Sequence, residues 1–161
     1  IWSDCHHLGE QLRISNPLSH MRSCKSLESL RRLHDKWART FSIYARTRVI
    51  QNHIDVYGCD RFPDPIINGN QNIIHISTIE ELFDEARVMH NCVSSYAGKI
   101  MQRKSYIYKV LSPQRATLEI AEEDGKPYIK QLKLACNGKP SEELENFIKS
   151  WLNHQSVVKP D

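Results

Sequence analysis

Ser105-Tyr106-Ile107-Tyr108-Lys109-Val110-Leu111, Arg115-Ala116-Thr117-Leu118-Glu119-Ile120-Ala121 and Pro127-Tyr128-Ile129-Lys130-Gln131-Leu132-Lys133-Leu134-Ala135 are three runs in which apolar and polar side chains largely alternate. A period of two places successive side chains on opposite faces of a strand, so each run predicts a strand with one face buried. Ser112-Pro113-Gln114 and Glu123-Asp124-Gly125 are short and turn-forming, which predicts an antiparallel meander. Within the middle strand, Thr117 and Glu119 share a face, opposite Ala116, Leu118 and Ile120.

Upstream of the meander the period changes. Ile73-Ile74-His75-Ile76 reads as a short strand, and Thr78-Ile79-Glu80-Glu81 is a capping box that opens a helix. That helix carries Ile79, Leu82, Phe83, Ala86 and Met89 on one face. Directly after it comes His90-Asn91-Cys92-Val93-Ser94-Ser95-Tyr96, with an imidazole, an amide, a thiol and a phenol in seven positions. Two readings of Cys92 stay open. If the helix continues, the thiol sits three residues from Met89 and is a small core hydrophobe. If the helix ends at Asn91, Cys92 opens a second helix through Tyr96 and Ile100, where helix-start amides favour a thiolate and His90 is near enough to act as base. Downstream, Asn137-Gly138-Lys139-Pro140 closes the sheet. Ser141 caps a last helix bearing Leu144, Phe147, Ile148, Trp151 and Leu152, and the tail from His154 is expected to fray.

The first quarter of the chain is different again. Residues 1–25 read as polar and irregular, broken at Asn16-Pro17. From Ser26 a long helix is expected, with Leu27, Leu30, Leu33, Trp37, Phe41, Tyr44, Ala45 and Val49 stepping by threes and fours. Such a stripe makes Trp37 a packing residue rather than a stacking platform, which needs exposure. Residues 11–54 hold nine Lys and Arg against two acids, a local charge of +7 in a chain of net charge +3. Arg31, Arg32, Lys36, Arg39, Arg46 and Arg48 are thus candidates to contact nucleic-acid phosphates, with a solvated helix face as the plain alternative. The same helix is a candidate surface for a protein partner. The turn-rich stretch Tyr57–Gln71 separates this arm from the body, giving a basic helical arm at 1–58 and a second domain at 59–161. Because the chain begins at Ile1 and not Met, the arm reads as the end of a longer region. The fold class expected is α+β: a helical amino-terminal arm, a strand–helix unit, a three-stranded antiparallel meander and a carboxy-terminal helix.

Five widely spaced cysteines, an odd number without a CxxC pair, argue against a disulfide scaffold and for a reducing cytoplasm. No apolar run reaches the roughly 18–20 residues that span a bilayer, so no membrane association is expected. A zinc site would need the scattered residues His75, His90, Cys92 and Cys136, which lack ligand spacing. Neither a metal nor a cofactor is expected, and no glycine-rich phosphate loop, paired-carboxylate site or serine triad is present.

Phe62-Pro63-Asp64-Pro65, the run Met89-His90-Asn91-Cys92-Val93-Ser94-Ser95-Tyr96, the strand Ala116-Thr117-Leu118-Glu119-Ile120, and then Gln131 and Asn137, together resemble the PcfJ-like family over residues 60–152. The resemblance implies a context, conjugative plasmids and mobile elements, without a settled reaction. It singles out His90, Cys92, Tyr96, Thr117, Glu119, Gln131 and Asn137. In one departure from the family's pattern, Gln102-Arg103-Lys104 stands where a glycine is expected before the first meander strand.

Register decides whether these positions meet. A two-residue Asp124-Gly125 turn pairs Glu119 with Lys130 as a surface ion pair. A three-residue loop with left-handed Gly125 pairs Thr117 with Gln131 and gathers the polar cluster. The three-residue loop is expected, since glycine suits its last position and the family positions then converge. Two functions follow. One is a nucleic-acid-binding accessory protein of a mobile element, using the basic arm and a polar pocket. The other is a transferase or hydrolase with Cys92 as nucleophile, His90 as base and Glu119 as acid/base, Tyr96, Thr117, Gln131 and Asn137 binding the substrate. A non-catalytic interaction module is the third reading.

Overall fold

The computed structural model describes residues 1–155; the tail beyond Gln155 lies outside the described residues. The chain divides into two compact units, Ile1–Val56 and Tyr57–Asp161.

The first unit is built from helices. Residues 1–25, expected to be irregular, instead form α1 (Trp2–Gln11) and α2 (Pro17–Arg22). Asn16-Pro17 is a helix start and not a break. The Asn16 side chain accepts from the Ser19 N–H at 3.2 Å, and Pro17 sits in the first turn, where a missing N–H costs nothing. α3 (Leu27–Tyr57) opens at Ser26, whose hydroxyl accepts from the Ser29 N–H at 3.1 Å. It runs on past Val49 to Tyr57, and Gly58 follows with φ 76°, a left-handed residue suited to a helix stop. Leu30 and Trp37 from the expected stripe pack with Cys5 and Met21 into a small core, so Trp37 is buried. Gly9 permits this contact: an added Cβ would lie 2.5 Å from Pro17 and 3.0 Å from the Trp37 ring.

The second unit is α+β. It contains β1 (Ile73–His75), α4 (Ile79–Met89), α5 (Ala97–Met101), β2 (Tyr106–Val110), β3 (Ala116–Glu123), β4 (Lys126–Lys133) and α6 (Glu142–Asn153). The expected meander β2-β3-β4 gains a fourth member, because β1 pairs antiparallel with β2, Ile73 opposite Val110 and His75 opposite Tyr108. The capping box forms as expected, Thr78 and Glu81 each accepting from the other's backbone N–H at 3.2 Å.

Helices cover both faces of the sheet's centre. Tyr106, Tyr108, Val110, Ala116, Leu118 and Ile120 pack with Leu144, Ile148 and Trp151 of α6. There Tyr108 meets Trp151 edge-on at 5.6 Å and donates its hydroxyl to the Ile67 carbonyl at 2.6 Å. On the other face lies α4 with the segment that follows it. Residues Ala116–Ala121 of β3 are consequently all buried, and with them Thr117 and Glu119.

The expected three-residue β3–β4 loop does not form. Glu123 pairs with Lys126, leaving Asp124-Gly125 as a two-residue turn with φ 50° and 75°. Positive φ at both central residues is the geometry whose twist matches that of paired strands, and Asp-Gly supplies it at low steric cost. Counting from that turn alone, Glu119 would face Lys130. A bulge between Glu119 and Ile120 shifts the register by one, so Glu119 pairs with Gln131, Leu118 with Leu132 and Thr117 with Lys133. The expected Thr117–Gln131 pair is therefore replaced by Thr117–Lys133.

Candidate functional site

The helix break comes one residue earlier than Asn91. α4 stops at Met89, and His90 takes the left-handed conformation, φ 48° and ψ 50°. The backbone N–H groups of His90 and Asn91 both reach the Ala86 carbonyl, satisfying a group the helix end would otherwise leave open. Cys92 then leads into a 3₁₀ turn, Val93–Tyr96, which runs on into α5. Of the two readings of Cys92, the broken helix is the one the fold adopts.

Asn91 fastens this turn to the sheet. Its side-chain carbonyl accepts from the Val93 N–H at 3.1 Å, and its amide donates to Thr117 Oγ1 at 3.2 Å. Thr117 in turn donates to Glu85 Oε1 at 2.6 Å. Glu85 is buried and receives the Arg115 guanidinium through both terminal nitrogens, Nη1 at 3.0 Å from Oε1 and Nη2 in close contact with Oε2. Arg115, Glu85, Thr117, Asn91 and the Val93 backbone thus form one continuous polar chain. A carboxylate taken out of water needs such a counter-charge and donors to remain ionised.

Next to that chain is a narrow cleft of about 320 Å³ including its open mouth. Cys92, Tyr96, Thr117, Glu119, Gln131 and Asn137 line it, together with Asn91, Val93, Ile107 and Lys133. Six of the seven residues singled out by resemblance therefore meet. His90 is exposed and does not line the cleft. The Glu119 carboxylate is only 3% exposed; Ser105 donates its hydroxyl to Oε1 at 2.5 Å, and Lys130 Nζ lies 3.6 Å away. Burial, the Cys92 sulfur and the Glu119 carboxylate raise the Tyr96 hydroxyl above the usual phenol range. The nearby Gln131 amide opposes that rise. The neutral phenol is thus held beside an accessible thiol and a buried carboxylate, with amide and ammonium groups at the rim. Such a site can bind a small polar or anionic group, and it places a proton donor beside a thiol.

Several members were missed from the sequence. Glu85 carried a legible signal, since it lies three residues after Leu82 and four before Met89, on the buried stripe of α4. A carboxylate on an apolar stripe demands a partner. Arg115, Ser105 and Lys133 carried no comparable local mark.

The six basic candidates all lie on α3. Arg32, Lys36, Arg39 and Arg46 follow one another by four, three and seven residues and so share one side of the helix, away from Leu30 and Trp37. Arg31 and Arg48 depart from that line. Arg32 approaches Glu28 at 3.4 Å, and Arg39 Nε donates to the Asp35 carbonyl at 3.2 Å.

Among the described residues no three His, Cys, Asp or Glu side chains are placed to share a metal ion, and His75, His90, Cys92 and Cys136 do not converge. No described helix is long and apolar enough to cross a membrane. The sequence model of the PcfJ-like protein family matches residues 1–148, taking in the helical unit as well as the sheet. No curated protein and no solved structure matches the chain.

Proposed function

The chain belongs to the PcfJ-like protein family, and from that membership we propose that it is a cytoplasmic, nucleic-acid-binding accessory protein of conjugation-linked mobile elements. The supporting observation is the single side of α3 that carries Arg32, Lys36, Arg39 and Arg46. A row of cations along a rigid helix tracks the regular charge of a phosphate backbone and releases its counterions, which gives sequence-tolerant, salt-sensitive binding. The cleft would then receive a nucleotide group. Replacing Arg32, Lys36 and Arg39 together by Gln tests this on the full chain. Binding of a labelled oligonucleotide should weaken, and the salt dependence should flatten by about two units of log–log slope. Unchanged affinity and slope would remove the α3 face from the function.

A second reading is favoured by the convergence of Cys92, Tyr96 and Glu119 on one cleft. Here Cys92 is the nucleophile of a transferase or hydrolase, and Tyr96 rather than His90 is the proton-bearing neighbour. Its test is the pH profile of iodoacetamide labelling at Cys92 in the wild type and in Tyr96→Phe. A nucleophilic thiol labels below the pH range of an ordinary cysteine, and the profile moves when the phenol is removed. An ordinary profile, indifferent to Tyr96, would discard the reading.

A further inference from the structure

Alongside the cleft runs a second and wider concavity. It spans about 1010 Å³, open solvent at its mouth included, between β4, the loop from Asn137 to Pro140, and α6. Four lysines line it, Lys130, Lys133, Lys139 and Lys149, against one acidic residue, Glu145. Gln131, Lys133 and Asn137 line both, so the groove adjoins the cleft. Between the lysines the lining is apolar, with Ile129 and Leu132 of β4 and Pro140.

We propose that this groove holds a single-stranded nucleic acid and guides it to the cleft that contains Cys92 and Tyr96. The proposal rests on the nucleic-acid reading above but not on the α3 face, which is a different surface. Charge complementarity calls for an anionic occupant, and the apolar lining between the lysines favours a nucleic-acid strand. Lys130 is partly neutralised by Glu119 at 3.6 Å, and Glu145 offsets another charge, which still leaves an excess of cations in a concave wall. Ammonium groups spaced along a groove suit successive phosphodiesters, each a point charge, and the apolar floor suits sugars and base faces. The concavity is large enough to take a few nucleotides of a strand. An acidic peptide would match the charge as well; it is the alternative that the experiment discriminates.

The measurement is fluorescence anisotropy of a short labelled oligo-dT titrated with the full chain across a salt series. Lys139→Gln and Lys149→Gln are combined, since both side chains are exposed and lie outside the cleft. The expected result is a loss of about tenfold in affinity at low salt and a log–log slope smaller by about 1.4, two phosphate contacts at 0.7 each. A charge-matched control, Lys104→Gln with Lys126→Gln, removes two lysines outside the groove and should leave both readings near wild type. An equal loss in that control overturns the groove, as does an unchanged groove variant. Equal affinity for duplex DNA, or equal competition by poly-glutamate, overturns the single strand as occupant. If the α3 variant loses binding and the groove variant does not, the groove fails while the nucleic-acid reading stands; the reverse result keeps the groove and removes α3. No binding by the wild type overturns both.

Discussion

Glu119 pairs across the sheet with Gln131, although the Asp124-Gly125 turn counted by itself sets it opposite Lys130. The bulge resolves what had looked like a choice. Gln131 reaches the cleft as the register partner of Glu119, while Lys130, the displaced residue, keeps its ammonium 3.6 Å from the same carboxylate. A three-residue loop was therefore unnecessary for the polar cluster to assemble. One extra residue in β4 does the same work as one extra residue in the turn.

Glu85→Gln should destabilise the fold by about 2–3 kcal/mol. The change keeps the shape but leaves the Arg115 guanidinium, itself partly exposed, without its counter-charge. Urea denaturation of the single and double variants with Arg115→Met measures it. The double variant should recover part of the loss, because the two partners leave together.

His90→Gly should leave the protein equally stable or up to about 1 kcal/mol more stable, because glycine adopts φ 48° without a Cβ penalty. The imidazole does not line the cleft, so the alkylation profile of Cys92 should not change. A slowed or shifted profile would return His90 to the site as a proton-transfer group.

Arg103→Gly should stabilise by about 0.5–1 kcal/mol. Arg103 sits at φ 57° just past α5, where its N–H bonds the Ile100 carbonyl and the Lys104 N–H bonds that of Lys99. This is a Schellman stop, the place glycine prefers, in the turn where the resemblance leads one to expect a glycine. The check is the thermal midpoint of the variant against wild type.

Acid should destabilise the sheet through His75. Burial lowers its pKa from 6.5 to about 4, with Glu81 and Asp64 opposing the shift. The unfolded chain therefore binds the proton first. Stability is full above about pH 6.5 and falls as the pH drops toward about 4, by at most about 3 kcal/mol. His75→Gln should flatten this part of the stability–pH curve; an identical curve would show that the imidazole is not buried in the neutral form.

Much of the second unit was legible because its signals are local. The capping box at Thr78 and the turn at Asp124-Gly125 act over two to four residues, and the alternation of β2 and β3 reports which side faces a core. The bulge also leaves a trace in the sequence. Ile129 and Leu132 both pack toward the α6 side, yet they are three residues apart where a regular strand requires two or four. Lys130 and Gln131 fill that gap. In the first unit, polar composition hid α1 and α2, because a short helix there needs only the few contacts made by Cys5 and Met21.

The sequence by itself determined most elements of the second unit and the shared face of Thr117 and Glu119, since these follow from backbone sterics and side-chain period within a few residues. Only the tertiary structure decided who meets whom. The Glu85–Arg115 pair and the Ser105–Glu119 contact join residues 30 and 14 positions apart. The Asn91–Thr117 link spans 26. Such partners are selected when α4 and the turn after it settle on the sheet, because each buried polar group must then find a donor, an acceptor or a counter-charge on the opposing surface.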